Sequence, residues 1–231
     1  MNDTAVPPSP LEGLEFATGP APTAAVIVLH GLGADGHDFV PVARMLDLGA
    51  VGAVRFVLPH APMRAVTING GYVMRAWYDI LADDLGQRSA REDDAGLRES
   101  MRQVQALIER EVARGVDSRR IVLMGFSQGC AMTLLAGLRC ARPLAGLAGL
   151  SGYLPLAGST ASERAPANAG VAVFLGHGRD DDIVPLERGV ATRDALAALG
   201  HDVEWHDYPV GHSVCEAEVD DLGRWLRRVL A

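Results

Sequence analysis

The chain has 231 residues, 48% of them apolar and 22% charged, with 26 glycines and 13 prolines; this is the composition of a globular α/β domain. All 21 basic residues are arginine, and with 29 acidic residues the formal charge is −8. That balance speaks against nucleic acid or anionic membrane surfaces as partners, and the lack of lysine excludes Schiff-base, Ser–Lys and phosphate-loop lysine chemistry.

In chain order, Met1 to Ala25 is rich in Pro and Thr and lacks a basic start and apolar run, so residues 1–20 read as an extended arm, not a secretory leader. Ala25–Leu29 and Val54–Leu58 are β-branched apolar runs of strand length. Gly86–Gly96 is polar and reads as a solvated loop before a helix. Met101, Val104, Leu107, Ile108 and Val112 fall at helical spacing and stop at Gly115. Arg120–Met124 is another strand, followed by an apolar helix over Cys130–Arg139. Leu144–Leu150 is a weaker strand, Val171–Leu175 a strong one, and a helix follows Pro185. Val203–Tyr208 alternates, as a strand near a sheet edge does, and Leu222, Trp225, Leu226, Val229 and Leu230 mark a final helix.

Continuous apolar strands alternating with helices predict an α/β fold with a mostly parallel central sheet flanked by helices on both faces. No linker or repeat interrupts it, so residues 1–231 are read as a single domain. The uncharged stretches Ile121–Leu138 and Pro143–Ser162 are broken by glycines and polar residues and fit a buried core better than membrane spans. The three cysteines, Cys130, Cys140 and Cys215, form no C-x-x-C pair and predict neither a disulfide framework nor structural zinc. A soluble cytoplasmic protein is expected.

Gly125-Phe126-Ser127-Gln128-Gly129 joins a predicted strand to a predicted helix. In that setting G-x-S-x-G forms a tight elbow that presents the serine at a helix N-terminus, where N–H groups favour developing negative charge. The bland alternative is a Gly-rich turn in which Ser127 caps the helix. A serine nucleophile needs a base after it in the hydrolase order Ser…Asp…His. Of the later histidines, His201 reads as a surface or capping residue and His206 as a strand residue. His212 lies in the loop Pro209–Ser213 after the predicted strand, where parallel sheets present their chemistry. The acid should follow the strand at Val171–Leu175, and the residues there, Asp180, Asp181 and Asp182, leave the choice open. A calcium loop would need more oxygen ligands than this segment displays. His30-Gly31-Leu32-Gly33 ends the first strong strand, where His-Gly-x-Gly supplies a main-chain donor to an oxyanion hole; the donors would be the N–H groups of Leu32 and Gln128. Reading His30, His37, Asp35 and Asp38 as a metal set finds no recognised zinc spacing.

These segments together with FVLPHAPMRAVTINGGYVMRAWYDI, LAGLSGYLPL, FLGHGRDDDIVP and YPVGHS run through nearly the whole chain. The sequence resembles the carboxylesterase/acyl-protein thioesterase (phospholipase/carboxylesterase) family of α/β hydrolases. The resemblance implies Ser127 as nucleophile, His212 as base and, by its place in HG-x-x-D, Asp181 as acid. It implies oxyanion donors at Leu32 and Gln128, an acyl pocket lined by Trp77, no cofactor or metal, and a homodimer. Cys130 stands where the family usually has glycine, and a thiol there is expected to confer sensitivity to bulky thiol reagents. The function expected is carboxylic ester hydrolysis through an acyl-serine intermediate. The alternatives are acyl-protein thioesterase or lysophospholipase action on longer chains, and a catalytically inactive binding module on the same fold.

Overall fold

The computed structural model describes residues 11–82 and 91–231. In chain order the main elements are β1 (Gly13–Ala17), β2 (Ala24–Leu29), α1 (Val40–Met45), β3 (Val54–Pro59), β4 (Met63–Val66), β5 (Tyr72–Arg75) and α2 (Asp94–Ala113). They continue as β6 (Ile121–Phe126), α3 (Gln128–Leu138), β7 (Gly146–Leu150), α4 (Ala157–Glu163), β8 (Ala172–Gly178), α5 (Leu186–Ala198), β9 (Val203–Tyr208) and α6 (Glu216–Val229). Seven strands form one sheet in the order β1-β3-β2-β6-β7-β8-β9. Only β1 runs antiparallel, against β3; the other pairs are parallel.

Parallel strands buried on both faces require apolar side chains in both directions, and β2 shows the consequence. Ala25, Ile27 and Leu29 join one core with side chains of α2 and α3, while Ala24, Val26 and Val28 join the other with α1 and α6. The final helix earns its place by a stripe at Val219, Leu222, Trp225 and Leu226. The six strands expected from apolar runs are all present, and Val203–Tyr208 lies at the sheet edge.

Two pairings and one helix start were not anticipated. Gly13–Ala17, inside the stretch read as an arm, is the antiparallel edge strand; residues 1–10 of that stretch lie outside the described residues. β4 and β5 form a separate two-stranded ribbon, closed through Gly70 and Gly71, both at positive φ. The helix expected at Met101 begins at Asp94, capped by the Asp93 side chain accepting from the Gly96 N–H; residues 86–90 of the preceding polar loop lie outside the described residues. The uncharged stretches resolve into β6 with α3 and β7 with α4. Among the described residues no helix is long and apolar enough to cross a membrane.

Candidate active site

The chain passes from β2 to β3 on one side and from β6 to β7, β8 and β9 on the other. The sheet therefore reverses its direction of growth between β2 and β6, the crevice where open α/β sheets hold ligands. His30–Gly33 leaves the end of β2, Ser127 the end of β6, Asp181 the loop after β8 and His212 the loop after β9.

Ser127 has φ 55° and ψ −116°, strained for a residue with a Cβ. The elbow closes because its flanking residues lack side chains. A Cβ on Gly125 would lie 2.2 Å from the Gly129 carbonyl oxygen, and one on Gly129 would lie 2.0 Å from that of Leu29. The Ser127 hydroxyl donates to His212 Nε2 at 2.9 Å, and His212 Nδ1–H donates to Asp181 Oδ2 at 2.7 Å. The other Asp181 oxygen accepts from the N–H groups of Ile183 (3.0 Å) and Val184 (2.8 Å). Asp180 and Asp182 are exposed, whereas Asp181 is buried. Geometry and family spacing thus select the same aspartate from the run of three.

The Leu32 and Gln128 residues both line a cavity of about 260 Å³ that opens onto Ser127 and His212. Within the described residues neither of their main-chain N–H groups meets an acceptor. The Gln128 side chain does separate work: its oxygen accepts from the Trp77 N–H at 2.9 Å and its amide donates to the Tyr78 carbonyl at 2.7 Å. The elbow thereby grips the segment that follows β5. His30 is buried, accepts the Ala61 N–H at Nε2 (3.0 Å) and donates from Nδ1 to the Gly31 carbonyl (2.7 Å); burial pushes its pKa below the usual imidazole value. It is a strut of the loop, and among the described residues no group of three or more His, Cys, Asp or Glu side chains is gathered to hold a metal.

Three expectations change. Trp77 does not line the cavity: it is wholly buried, with its indole N–H donating to the His30 carbonyl at 2.9 Å. Its neighbour Tyr78 takes the wall. Cys130 is 1% exposed, and burial pushes its thiol pKa up to about 12, so an intact fold shields it from thiol reagents. His201, read as a surface or capping residue, is buried and donates from Nδ1 to the Val171 carbonyl. Missed altogether were Tyr153, Ile80 and Ile183 in the cavity wall. Also missed was His177, buried beneath the acid loop, with Nε2 donating to the Val184 carbonyl at 2.7 Å. The sequence signal for His177 was its position in HG-x-x-D; the wall residues carried none.

A strained serine on a strand-to-helix elbow, joined through histidine to a buried carboxylate at the end of a mostly parallel sheet, defines an α/β hydrolase. The model of the phospholipase/carboxylesterase family matches residues 17–230. Acyl-protein thioesterase 1 of Gibberella zeae is 40% identical over 223 residues, covering 94% of this chain and 95% of that protein. Acyl-protein thioesterase 1 of Mycosarcoma maydis is 43% identical over 228 residues, covering 92% and 94%. Among solved structures, Arabidopsis thaliana SOBER1 superposes with TM-score 0.82 at 31% identity, covering 90% of this chain and 99% of its own. Zea mays acyl-protein thioesterase 2 superposes with TM-score 0.80 at 29% identity, covering 95% and 100%. The chain belongs to the phospholipase/carboxylesterase family, and it is a serine hydrolase of that family.

Proposed function

We propose that the protein hydrolyses acyl thioesters through a Ser127–His212–Asp181 triad. The observation that carries the triad is the His212 ring, hydrogen-bonded at one nitrogen to Ser127 and at the other to Asp181. Asp181 holds the tautomer with the proton on Nδ1, so Nε2 is free to take the serine proton as Oγ attacks the acyl carbon. The Leu32 and Gln128 N–H groups receive the oxyanion of the tetrahedral intermediate; each such donor is typically worth about 10²–10³ in rate. His212 returns the proton to the departing thiolate, and the acyl-Ser127 ester is then cleaved by water activated at the same nitrogen. No cofactor enters these steps.

The choice of thioester over carboxylic ester rests on the relatives: the fungal proteins that match over most of their length are acyl-protein thioesterases. This favours the alternative over the plain carboxylesterase reading. The test compares matched acyl thioesters and p-nitrophenyl esters across chain lengths, with Ser127→Ala beside the wild type. Thioester kcat/KM should exceed that of the matched ester at some chain length. Ser127→Ala should lose on the order of 10⁴-fold or more in kcat, together with fluorophosphonate labelling, while remaining folded. Near-normal turnover in that variant would falsify the triad, and an oxygen-ester preference at every chain length would return the protein to the carboxylesterase reading.

A further inference from the structure

The cavity at Ser127 does not end at Tyr78, Ile80 and Tyr153. The same three residues also wall a second cavity of about 400 Å³, which reaches Arg188 at the start of α5. The sill between the chambers is a tyrosine pair, with the Tyr78 and Tyr153 hydroxyls 2.8 Å apart. The Arg188 guanidinium carbon lies 3.5 Å from the centre of the Tyr153 ring, a cation–π contact that fixes the position of the side chain.

What sets Arg188 apart is a guanidinium with neither a carboxylate nor a carbonyl partner among the described residues. It is half-buried, and among the described residues no carboxylate pairs with it. The other half-buried arginines are matched, some by a carboxylate, as Arg55 with Glu111 and Arg98 and Arg139 with Glu163, others by main-chain carbonyls, as Arg75, Arg120, Arg164 and Arg227. The acids of the second cavity are already committed to other donors. Asp79 accepts from the Thr67 N–H and hydroxyl, Asp93 from the Gly96 and Asp79 N–H groups, and Glu92 from the Leu156 N–H. A third opening, on the far side of the Ser127 cavity, shares Ala34 and Asp38 with it and also carries Asp35. That opening also holds Arg75, whose guanidinium donates to the Ala61 carbonyl; the α5 end of the path differs in presenting, at Arg188, a guanidinium with no hydrogen-bond partner among the described residues.

We propose that Arg188 is a specificity-determining residue that binds a carboxylate carried by the substrate at its end remote from the scissile bond. The planar fork of a guanidinium donates two parallel hydrogen bonds to a carboxylate, which a lysine or a neutral side chain does not reproduce. The substrates selected are half-esters or half-thioesters of dicarboxylic acids, or acyl derivatives of an acidic alcohol or thiol. This rests on the acyl transfer proposed for Ser127.

The test uses the full-length enzyme and two matched pairs. Mono-p-nitrophenyl adipate against p-nitrophenyl hexanoate places the charge on the acyl side. The acetate ester of 4-hydroxybenzoate against that of 4-hydroxybenzamide places it on the leaving-group side. Arg188→Gln should lower kcat/KM for the charged member of one pair by about tenfold or more, chiefly through KM, and leave its neutral partner within about threefold. Arg188→Lys should recover part of the loss. Turnover of the neutral substrates reports that each variant is folded. Equal effects of Arg188→Gln on charged and neutral members in both pairs would overturn the proposal. An enzyme inert toward all four substrates fails the underlying hydrolase reading instead, so the two failures are distinct.

Discussion

Cys130 lies three residues beyond the strained Ser127, in the first turn of α3, and its sulfur fills a space left by two glycines. A Cβ at Gly149 or at Gly152 would stand 2.6 Å from the Cys130 Sγ. The thiol is thus a packing atom, protonated at any working pH because burial holds it up to about 12. Treatment of the native enzyme with N-ethylmaleimide at pH 8 should leave Cys130 unmodified in peptide mass spectra, label the half-buried Cys215, and leave Ser127 reactive toward a fluorophosphonate. Rapid native-state labelling of Cys130 would contradict the burial. At this scale the limits of sequence reading are concrete. Ser127 and His212 were legible from the elbow and loop order, because the chemistry restricts residue type and sequence position. Asp181 was not separable from Asp180 and Asp182 by pattern alone, since what distinguishes it is burial and two main-chain donors supplied after folding. Trp77 and Tyr78 differ by one position and by which way they face, and an irregular segment has no period from which to read that.

Helix α2 is fastened to the sheet by a carboxylate. Glu111, fully buried, accepts from Arg55 of β3 at 2.6 Å and from Arg114 at 2.9 Å, and Arg110 and Arg114 also reach Glu15 on the edge strand β1. Removing one partner of such a group strands the opposite charges in partly buried positions. Glu111→Ala should cost about 2–3 kcal/mol in urea unfolding, and Arg55→Ala added to it should cost much less than it does alone. Full additivity of the two substitutions would show that the pair is not coupled. This network also explains why β1 was missed. GLEFA alternates exposed and half-buried positions, and its place in the sheet is set by β3 and by arginines almost a hundred residues away, none of which a local pattern records. The β4–β5 ribbon escaped for a related reason: only one of its eight residues is buried, so the apolar alternation that marks a half-buried strand is absent. The strands of the parallel sheet were legible because burial on both faces leaves a run that little else in a sequence imitates.

For the molecule as a whole, pH dependence of stability has a source outside the site. Glu218, in the first turn of α6, is completely buried; its carboxylate packs against Gly176 of β8, and among the described residues the main-chain N–H of Cys215 is too poorly placed to give either oxygen a well-formed hydrogen bond. Desolvation pushes its pKa from 4.5 up to about 8. The folded state then keeps a proton that the unfolded chain releases, so this group's contribution is full below about pH 4.5 and is lost as pH rises toward 8. Glu218→Gln, which preserves the shape of the protonated acid, should flatten the fall in Tm between pH 5 and pH 8 and raise Tm at the upper end. Parallel Tm profiles for variant and wild type would remove Glu218 as the origin of the slope. Nothing in the sequence marked this residue, because an acid in the first turn of a helix is the ordinary arrangement on a surface.

The reversal of strand order between β2 and β6 carries a last consequence. Leu32 and Gln128 belong to distant stretches of chain, yet each departs from one of two hydrogen-bonded neighbours, and such neighbours stand about 4.8 Å apart in any sheet. The gauge of the oxyanion pocket proposed for their N–H groups is thereby inherited from backbone regularity, independent of the side chains that surround it. Peripheral loops are left at liberty to diversify what is admitted while the machinery that polarises the carbonyl keeps its calibration.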